Sequence, residues 1–484
     1  MRESFFFYDL ETSGLNPRTD RVMQFAGIRT DPNFELIGEP VNLLVQLSDD
    51  TLPSPDAVMV TGITPQQTRT DGISEREFAR FFSEEVATPN TTIVGYNSVR
   101  FDDEFIRCVL WRNFYEPYTW QWQEGRSRWD LLDVVRITRA LRPEGINWPV
   151  TPDGKPTNRL ELITKENHIV HEHAHDALSD VEALISVTKL IKEKQPQLFN
   201  FLYTHRCKRD VQELISLDNP QPFVYCSGRY ASEFSHTTVV VPIAPAEGGN
   251  MLVYNLRFNL DEIMTAEKAA QKNPLPEPSK EHSRHREPWE NNYFPTVKKL
   301  QYNRCPAVAP LGVLEKSDGW AKIGLSKEQI KANLASLRSH PEFIQRMAKL
   351  PRPDFSKAED VESKLYDSFI NRQDQILCAT IRNNDADRLA DYHPPFHDDR
   401  LPELLLHYKA KNFPESLSEQ EQIEWQKYRR ERLERQSPAF LVALKRIQEH
   451  LAKDHDYGNR SAEDCAFLAE ELMLWHDSLG DAEI

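Results

Sequence analysis

The first residues whose types and spacing suit chemistry are Asp9 and Glu11, in Asp9-Leu10-Glu11 directly after Phe5-Phe6-Phe7-Tyr8. Alternate side chains of an extended strand share a face, so the two carboxylates stand together while Tyr8 and Leu10 face the other way. Neighbouring carboxylates repel, and a hard divalent cation such as Mg²⁺ relieves that repulsion through oxygen ligation. The plainer alternative is a strand running out into the polar turn Thr12-Ser13-Gly14. A second candidate is Asp102, in Asn97-Ser98-Val99-Arg100-Phe101-Asp102-Asp103-Glu104. A helix starting there carries Phe105, Ile106 and Val109 on one stripe with Asp102, whereas Asp103 and Glu104 fall off it and suit the positive end of the helix dipole. The third is His175-Asp176-Ala177-Leu178-Ser179-Asp180. Asp180 lies on the same helical stripe as Ala177, Val181, Leu184 and Thr188, where a buried carboxylate requires a partner or a metal. His175, just upstream, suits a general base. His168, His171 and His173 would need further ligands to hold zinc, no cysteine lies near them, and they read as loop histidines.

The elements that must position these residues form an α/β pattern over residues 1–190. Strands are expected from residue 5, over 22–28, over 36–47 and over 91–96. Helices are expected over 74–86 (Phe78, Phe81, Phe82, Val86), 102–113, 129–141 before Pro143, and 175–194 before Pro196. Residues 222–260 are β-rich, with a hairpin of 236–243 and 251–258 around 245–250; residues 273–292, rich in proline and charge, read as an exposed loop. Another strand is expected over 297–300, and helical periodicity dominates from 327 onward. The dense mixed charge of 418–436 reads as a solvated helix face. The expected organisation is therefore α/β over 1–190, β over 196–350 and helical over 355–484.

Length and composition narrow the class. The 484 residues suffice for several domains with their own cores. No run of about 18 apolar residues exists, which speaks against a membrane span, and carboxylates at positions 9 and 11 do not fit a secretory leader. Six scattered cysteines without a CxxC pair suit reduced thiols in a cytoplasmic protein. The net charge of -16 speaks against nucleic acid as a partner, but charge acts locally. Between Phe101 and Trp129 lie nine aromatic residues interleaved with Arg100, Arg107, Arg112, Arg126 and Arg128. Stacking faces beside phosphate-binding cations are the means of sequence-neutral single-strand binding. Phe105 and Trp111 fall on a helix and read as core. Tyr118, Trp120 and Trp122 alternate with polar residues outside any clear helix and are candidates for exposure.

The order D-x-E, central Asp, H-x4-D resembles the DEDD exonuclease superfamily in its histidine-bearing branch. Arg100-Phe101-Asp102-Asp103-Glu104, Ser127-Arg128-Trp129-Asp130-Leu131-Leu132-Asp133, Leu141-Arg142-Pro143-Glu144-Gly145-Ile146-Asn147-Trp148-Pro149, Ala174-His175-Asp176-Ala177 and Tyr408-Lys409-Ala410-Lys411-Asn412-Phe413-Pro414 resemble the bacterial exonuclease I family. That resemblance implies a ribonuclease-H-like exonuclease domain, an SH3-like barrel domain and a helical C-terminal domain. It implies a processive 3′→5′ exonuclease of DNA repair and recombination that degrades single-stranded DNA to 5′-mononucleotides by two-metal-ion hydrolysis. Asp9, Glu11, Asp102 and Asp180 would hold two Mg²⁺ ions, with Mn²⁺ as a substitute, and His175 would take the proton of the attacking water. Glu11, Arg107, Tyr118, Trp122, Arg136 and Arg159 would contact the strand. Arg142 and Arg304 are candidates for docking the acidic C-terminal tail of single-stranded DNA-binding protein. A monomer is the family expectation. Two rival readings remain at this point: an exoribonuclease of the same superfamily, and a non-catalytic single-strand-binding scaffold. The additional β and helical regions weigh against the first, and the intact carboxylate set against the second.

Overall fold

The computed structural model describes residues 3–171, 176–270, 295–350, 358–452 and 460–480. The loop expected over 273–292 and the residues His173 and His175 lie outside the described residues. The chain forms two compact units. One comprises Met1–Ser127, His171–Glu182 and Ser356–Ile484, the other Arg128–Val170 and Ala183–Phe355.

The first unit is built on β1 (Ser4–Thr12), β2 (Val22–Thr30), β3 (Val41–Leu44) and β4 (Thr91–Gly95) in the order β3-β2-β1-β4. β2 runs antiparallel and β4 parallel to β1. A central strand is covered on both faces, which is why Phe5, Phe6, Phe7 and Tyr8 are consecutive, apolar and all buried. β3 is shorter than the expected 36–47 strand. Pro40 lacks an N–H for the ladder and Gly38 sits at φ 75°, so regular pairing starts only at Val41. Three short helices follow, α1 (Pro55–Thr61), α2 (Pro65–Asp71) and α3 (Glu75–Phe81). Ser74 caps α3 through a reciprocal bond with Glu77, and the expected 74–86 helix continues as a wider π-helical turn over Phe82–Val86. Phe25, Phe78, Phe82 and Trp120 pack in this core.

Helix α4 (Asp102–Arg112) buries every residue except Glu104. A single apolar stripe was expected, but a second layer covers the other face. Phe105, Ile106 and Val109 meet the sheet core, while Cys108 and Trp111 join a cluster with Val361, Leu365, Leu401 and Leu404. The Trp111 indole N–H donates to the Val361 carbonyl at 3.1 Å. Asp103 therefore lies in the interior and not off the core face. It is 1% exposed and accepts the Tyr8 hydroxyl at 2.6 Å.

The helix Glu419–Leu451 also departs from the solvated face expected over 418–436. Trp425, Arg429 and Arg432 on it are buried. Arg432 Nη1 meets Asp360 Oδ2 at 2.5 Å and Arg432 Nε donates to the Asp50 carbonyl at 3.0 Å, so this part of the charge is used internally.

In the second unit, β5 (Ser127–Asp130) precedes α5 (Leu131–Leu141). Residues 129 and 130 were expected to be helical. Instead Trp129 sits on the strand, its ring centroid 5.1 Å from that of Phe199, and Asp130 caps α5 by accepting the Leu132 N–H at 3.0 Å. Next come α6 (Leu160–Glu166) and α7 (Ala177–Lys194); the turns of α7 through Glu182 belong to the first unit. β6 (Phe223–Cys226), β7 (Thr237–Ala246), β8 (Asn250–Asn255), β9 (Val297–Leu300) and β10 (Val308–Pro310) form an antiparallel sheet in the order β10-β6-β7-β8-β9. The β7–β8 hairpin is tighter than expected. Pro245 and Ala246 extend β7, and Gly248 and Gly249 take the positive φ of the turn.

Candidate metal centre and strand-binding residues

Asp9 and Glu11 leave the end of β1 on one face, as strand alternation requires, and Asp180 comes from the start of α7. The three carboxylates offer ligand oxygens that all lie within 4.8 Å of one another. Asp176 orders the helix start by accepting the Ser179 N–H at 3.0 Å. Burial first, then repulsion from Asp180, raises the Asp9 carboxyl to about 8. Burial, then Asp9, Asp180 and Asp176, raises Glu11 to about 9 against the opposing charge of Arg460. Two carboxylates driven toward their protonated forms beside a third are an oxygen-only donor set short of positive charge. That set fits a hard divalent cation.

Asp102 stands at the head of α4, 4% exposed, and is not one of that triplet. It is held close in the fold by its neighbour, because the Tyr8–Asp103 hydrogen bond ties the start of α4 to the residue preceding Asp9. His171 was expected to be a loop histidine rather than a zinc ligand, and it lies outside any helix or strand. Its Nε2 lies 2.7 Å from Asp180 Oδ1, and its side chain is buried. A second group, Asp360, Glu362 and His407, also has ligand atoms within 4.8 Å of one another. It differs in being matched by cations: Arg21 and Lys411 on Glu362, and Arg432 on Asp360. It is an ion network with its charge already supplied.

The expected strand-binding residues occupy different settings. In the first unit Trp122 is 65% exposed, whereas Trp120, equally a candidate for exposure, is core; its indole donates to the Pro117 carbonyl at 2.9 Å. Tyr118 is half-buried beside Arg107, whose guanidinium carbon lies 5.8 Å from the ring centroid. Arg107 donates to Glu104 at 2.6 Å and to Gln121 at 2.8 Å. Phe369, which the sequence did not single out, is 85% exposed and sets its ring edge against Tyr118 at 5.8 Å. It falls in an irregular segment where periodicity carries no signal. In the second unit Arg136 pairs with Asp133 at 2.7 Å, and the mostly exposed Arg159 pairs with Glu161 at 2.5 Å. Arg142 donates to the carbonyls of Leu141 (2.6 Å) and Val313 (2.8 Å), which hold its guanidinium against the backbone. Arg304 ends a short 3₁₀ turn, half-buried.

Comparison with known proteins covers the chain almost end to end. Residues 6–188 match the family model of an exonuclease, 206–350 that of the exonuclease I SH3-like domain, and 359–479 that of the exonuclease I C-terminal domain. Exodeoxyribonuclease I of Haemophilus influenzae is 40% identical over 92% of this chain and 94% of its own length. The crystal structure of E. coli exonuclease I in complex with a dA16 oligonucleotide superposes with a TM-score of 0.88 at 34% identity, covering 99% of this chain and 100% of that one. A structure of SSB/exonuclease I in complex with the inhibitor CFAM superposes with a TM-score of 0.85 at 34% identity over 99% and 100% of the two chains. The three-part architecture expected from sequence is the one these models describe, and the chain belongs to the exonuclease I family.

Proposed function

We propose that this chain is a 3′→5′ exodeoxyribonuclease that hydrolyses single-stranded DNA and releases 5′-mononucleotides. The observation that carries the reading is the oxygen cluster of Asp9, Glu11 and Asp180, standing in a chain that matches exodeoxyribonuclease I over nearly its whole length. The enzyme is divalent-metal-dependent. Two Mg²⁺ ions held by Asp9, Glu11, Asp180 and Asp102, or Mn²⁺ in their place, supply when bound the positive charge that offsets these carboxylates and the charge developing on the scissile phosphate. His175 takes the proton from the attacking water.

The remaining residues bind and orient. Exposed Trp122 and Tyr118 would stack on bases, Glu11 would meet the terminal nucleotide, and Arg107, Arg136 and Arg159 would bind the backbone phosphates. Such contacts hold any base, which suits an enzyme that must advance along a strand of arbitrary sequence. Single-stranded DNA and single-stranded DNA-binding protein are the partners, the latter through its acidic C-terminal tail at Arg142 and Arg304. We further propose domains over 1–190, 196–350 and 355–484, and a monomer acting in DNA repair in the bacterial cytoplasm. No described helix is long and apolar enough to cross a membrane. The exoribonuclease reading is not favoured, since the chain carries the exonuclease I SH3-like and C-terminal regions as well as the catalytic one.

Polarity tests the reading. A strand labelled at its 3′ end must lose the label as mononucleotide from the first turnovers, while a 5′ label stays on shortening fragments. Early loss of the 5′ label would refute the assignment.

A further inference from the structure

We propose that His171 is a positioning residue that fixes the carboxylate of Asp180 for cation binding; this rests on the metal-centre reading above. His171 Nε2 lies 2.7 Å from Asp180 Oδ1, and the imidazole is only 3% exposed. A carboxylate ionised to bind a cation can only accept, so in that state Nε2 would carry the hydrogen of this bond. The bond fixes the orientation of the carboxylate that, with Asp9 and Glu11, offers the clustered ligand oxygens.

The need for such a holder follows from the surroundings. Asp180 sits near the start of α7 with a ligand oxygen within 4.8 Å of those of Asp9 and Glu11, so in the ionised state that a cation requires the three carboxylates repel one another. Without a restraint its side chain would relax away from them by rotating about χ1. A buried imidazole that donates one hydrogen bond opposes that rotation. Ligating carboxylates are commonly held in this way, and loss of the holder typically weakens metal affinity by about 10–100-fold. The bond also gives a role to a histidine that the H-x4-D pattern does not use, nine residues from its partner where the patterned His175 is five.

The test compares His171→Phe, His171→Gln and His171→Asn in the full-length protein. Gln can place an amide N–H near the Nε2 position; Asn is too short to reach it. Mn²⁺ binding is measured by titration calorimetry, and nucleotide release is followed as a function of Mn²⁺ concentration. The expected result is Mn²⁺ affinity lowered about 10–100-fold in Phe and Asn and largely restored in Gln, with kcat recovering in all three at saturating Mn²⁺. Should the Phe variant fail to fold, the contrast between Gln and Asn decides. Wild-type Mn²⁺ affinity in Asn, or equal loss in Gln and Asn, would overturn the proposal. A wild-type protein that binds Mn²⁺ in a His171-dependent manner but releases no nucleotide would count against the nuclease reading and leave this inference standing.

Discussion

Arg21 and Glu362, 341 positions apart in the chain, form a buried ion pair in which neither side chain is more than 4% exposed. Asp50 and Lys411 meet at 3.0 Å in the same network, Arg432 reaches Asp50 at 3.4 Å, and His407 Nδ1 lies 3.2 Å from Glu362. The network joins the sheet-bearing N-terminal residues to the C-terminal helices within one compact unit. Burial would raise Glu362, but Lys411 and Arg21 hold it well below the usual carboxylate range. Removing one member leaves an uncompensated buried charge, so Glu362→Gln should cost about 3–5 kcal/mol in equilibrium denaturation. A loss comparable to that of a surface substitution would contradict this role.

The Asp9–Glu11–Asp180 carboxylate cluster makes stability depend on pH in the opposite sense to ordinary carboxylate pairs. Asp9 and Glu11 titrate at about 8 and about 9 in the fold, from ordinary values of 3.8 and 4.5. Between those limits the native state binds more protons than the unfolded one, so stability falls as pH rises. In chelator, the melting temperature should drop from about pH 6 to about pH 9. Mg²⁺ should abolish most of that drop, because cation binding takes over from protonation. A pH-independent melting temperature in chelator would contradict the raised values.

Asp180→Ala removes one carboxylate of the Asp9, Glu11 and Asp180 cluster and leaves the aromatic residues untouched. Nucleotide release should fall to background while single-strand affinity, read by fluorescence anisotropy, stays measurable. Full activity in this variant would remove Asp180 from the centre.

The two tryptophans of the 119–122 turn separate binding from folding. Trp122 is exposed, and its replacement by Ala should weaken single-strand binding by roughly 1–3 kcal/mol with little change in melting temperature. Trp120 is 3% exposed and packs on Phe82, so Trp120→Ala should cost about 3–5 kcal/mol of stability instead. The reverse pattern would contradict a binding role for Trp122 and a core role for Trp120.

How much of this was legible in the sequence depended on whether a residue's neighbours are local. Asp9 and Glu11 could be placed on one face because strand alternation is a local rule, and Asp180 on an inward face because helical periodicity is one too. Asp103 was misplaced for the same reason: the stripe argument assumes an open outer face, and α4 is covered by residues more than 200 positions later, such as Val361 and Leu404. The charged 418–436 stretch hid Arg429 and Arg432 because their partners, Asp49 and Asp50, are near the other end of the chain. The pairing of His171 with Asp180, nine residues apart and outside a shared helix turn, follows no local rule and shows only in the fold.

The central claim, a cation-dependent exonuclease of single-stranded DNA, is tested most directly by one digestion series. End-labelled single-stranded DNA, the same sequence as a blunt duplex, and the RNA equivalent are incubated with Mg²⁺ or with chelator, and mononucleotide release is measured. Rapid release is expected from single-stranded DNA with Mg²⁺, none in chelator, and little from duplex or RNA. Undiminished release in chelator, or turnover of RNA equal to that of DNA, would contradict it.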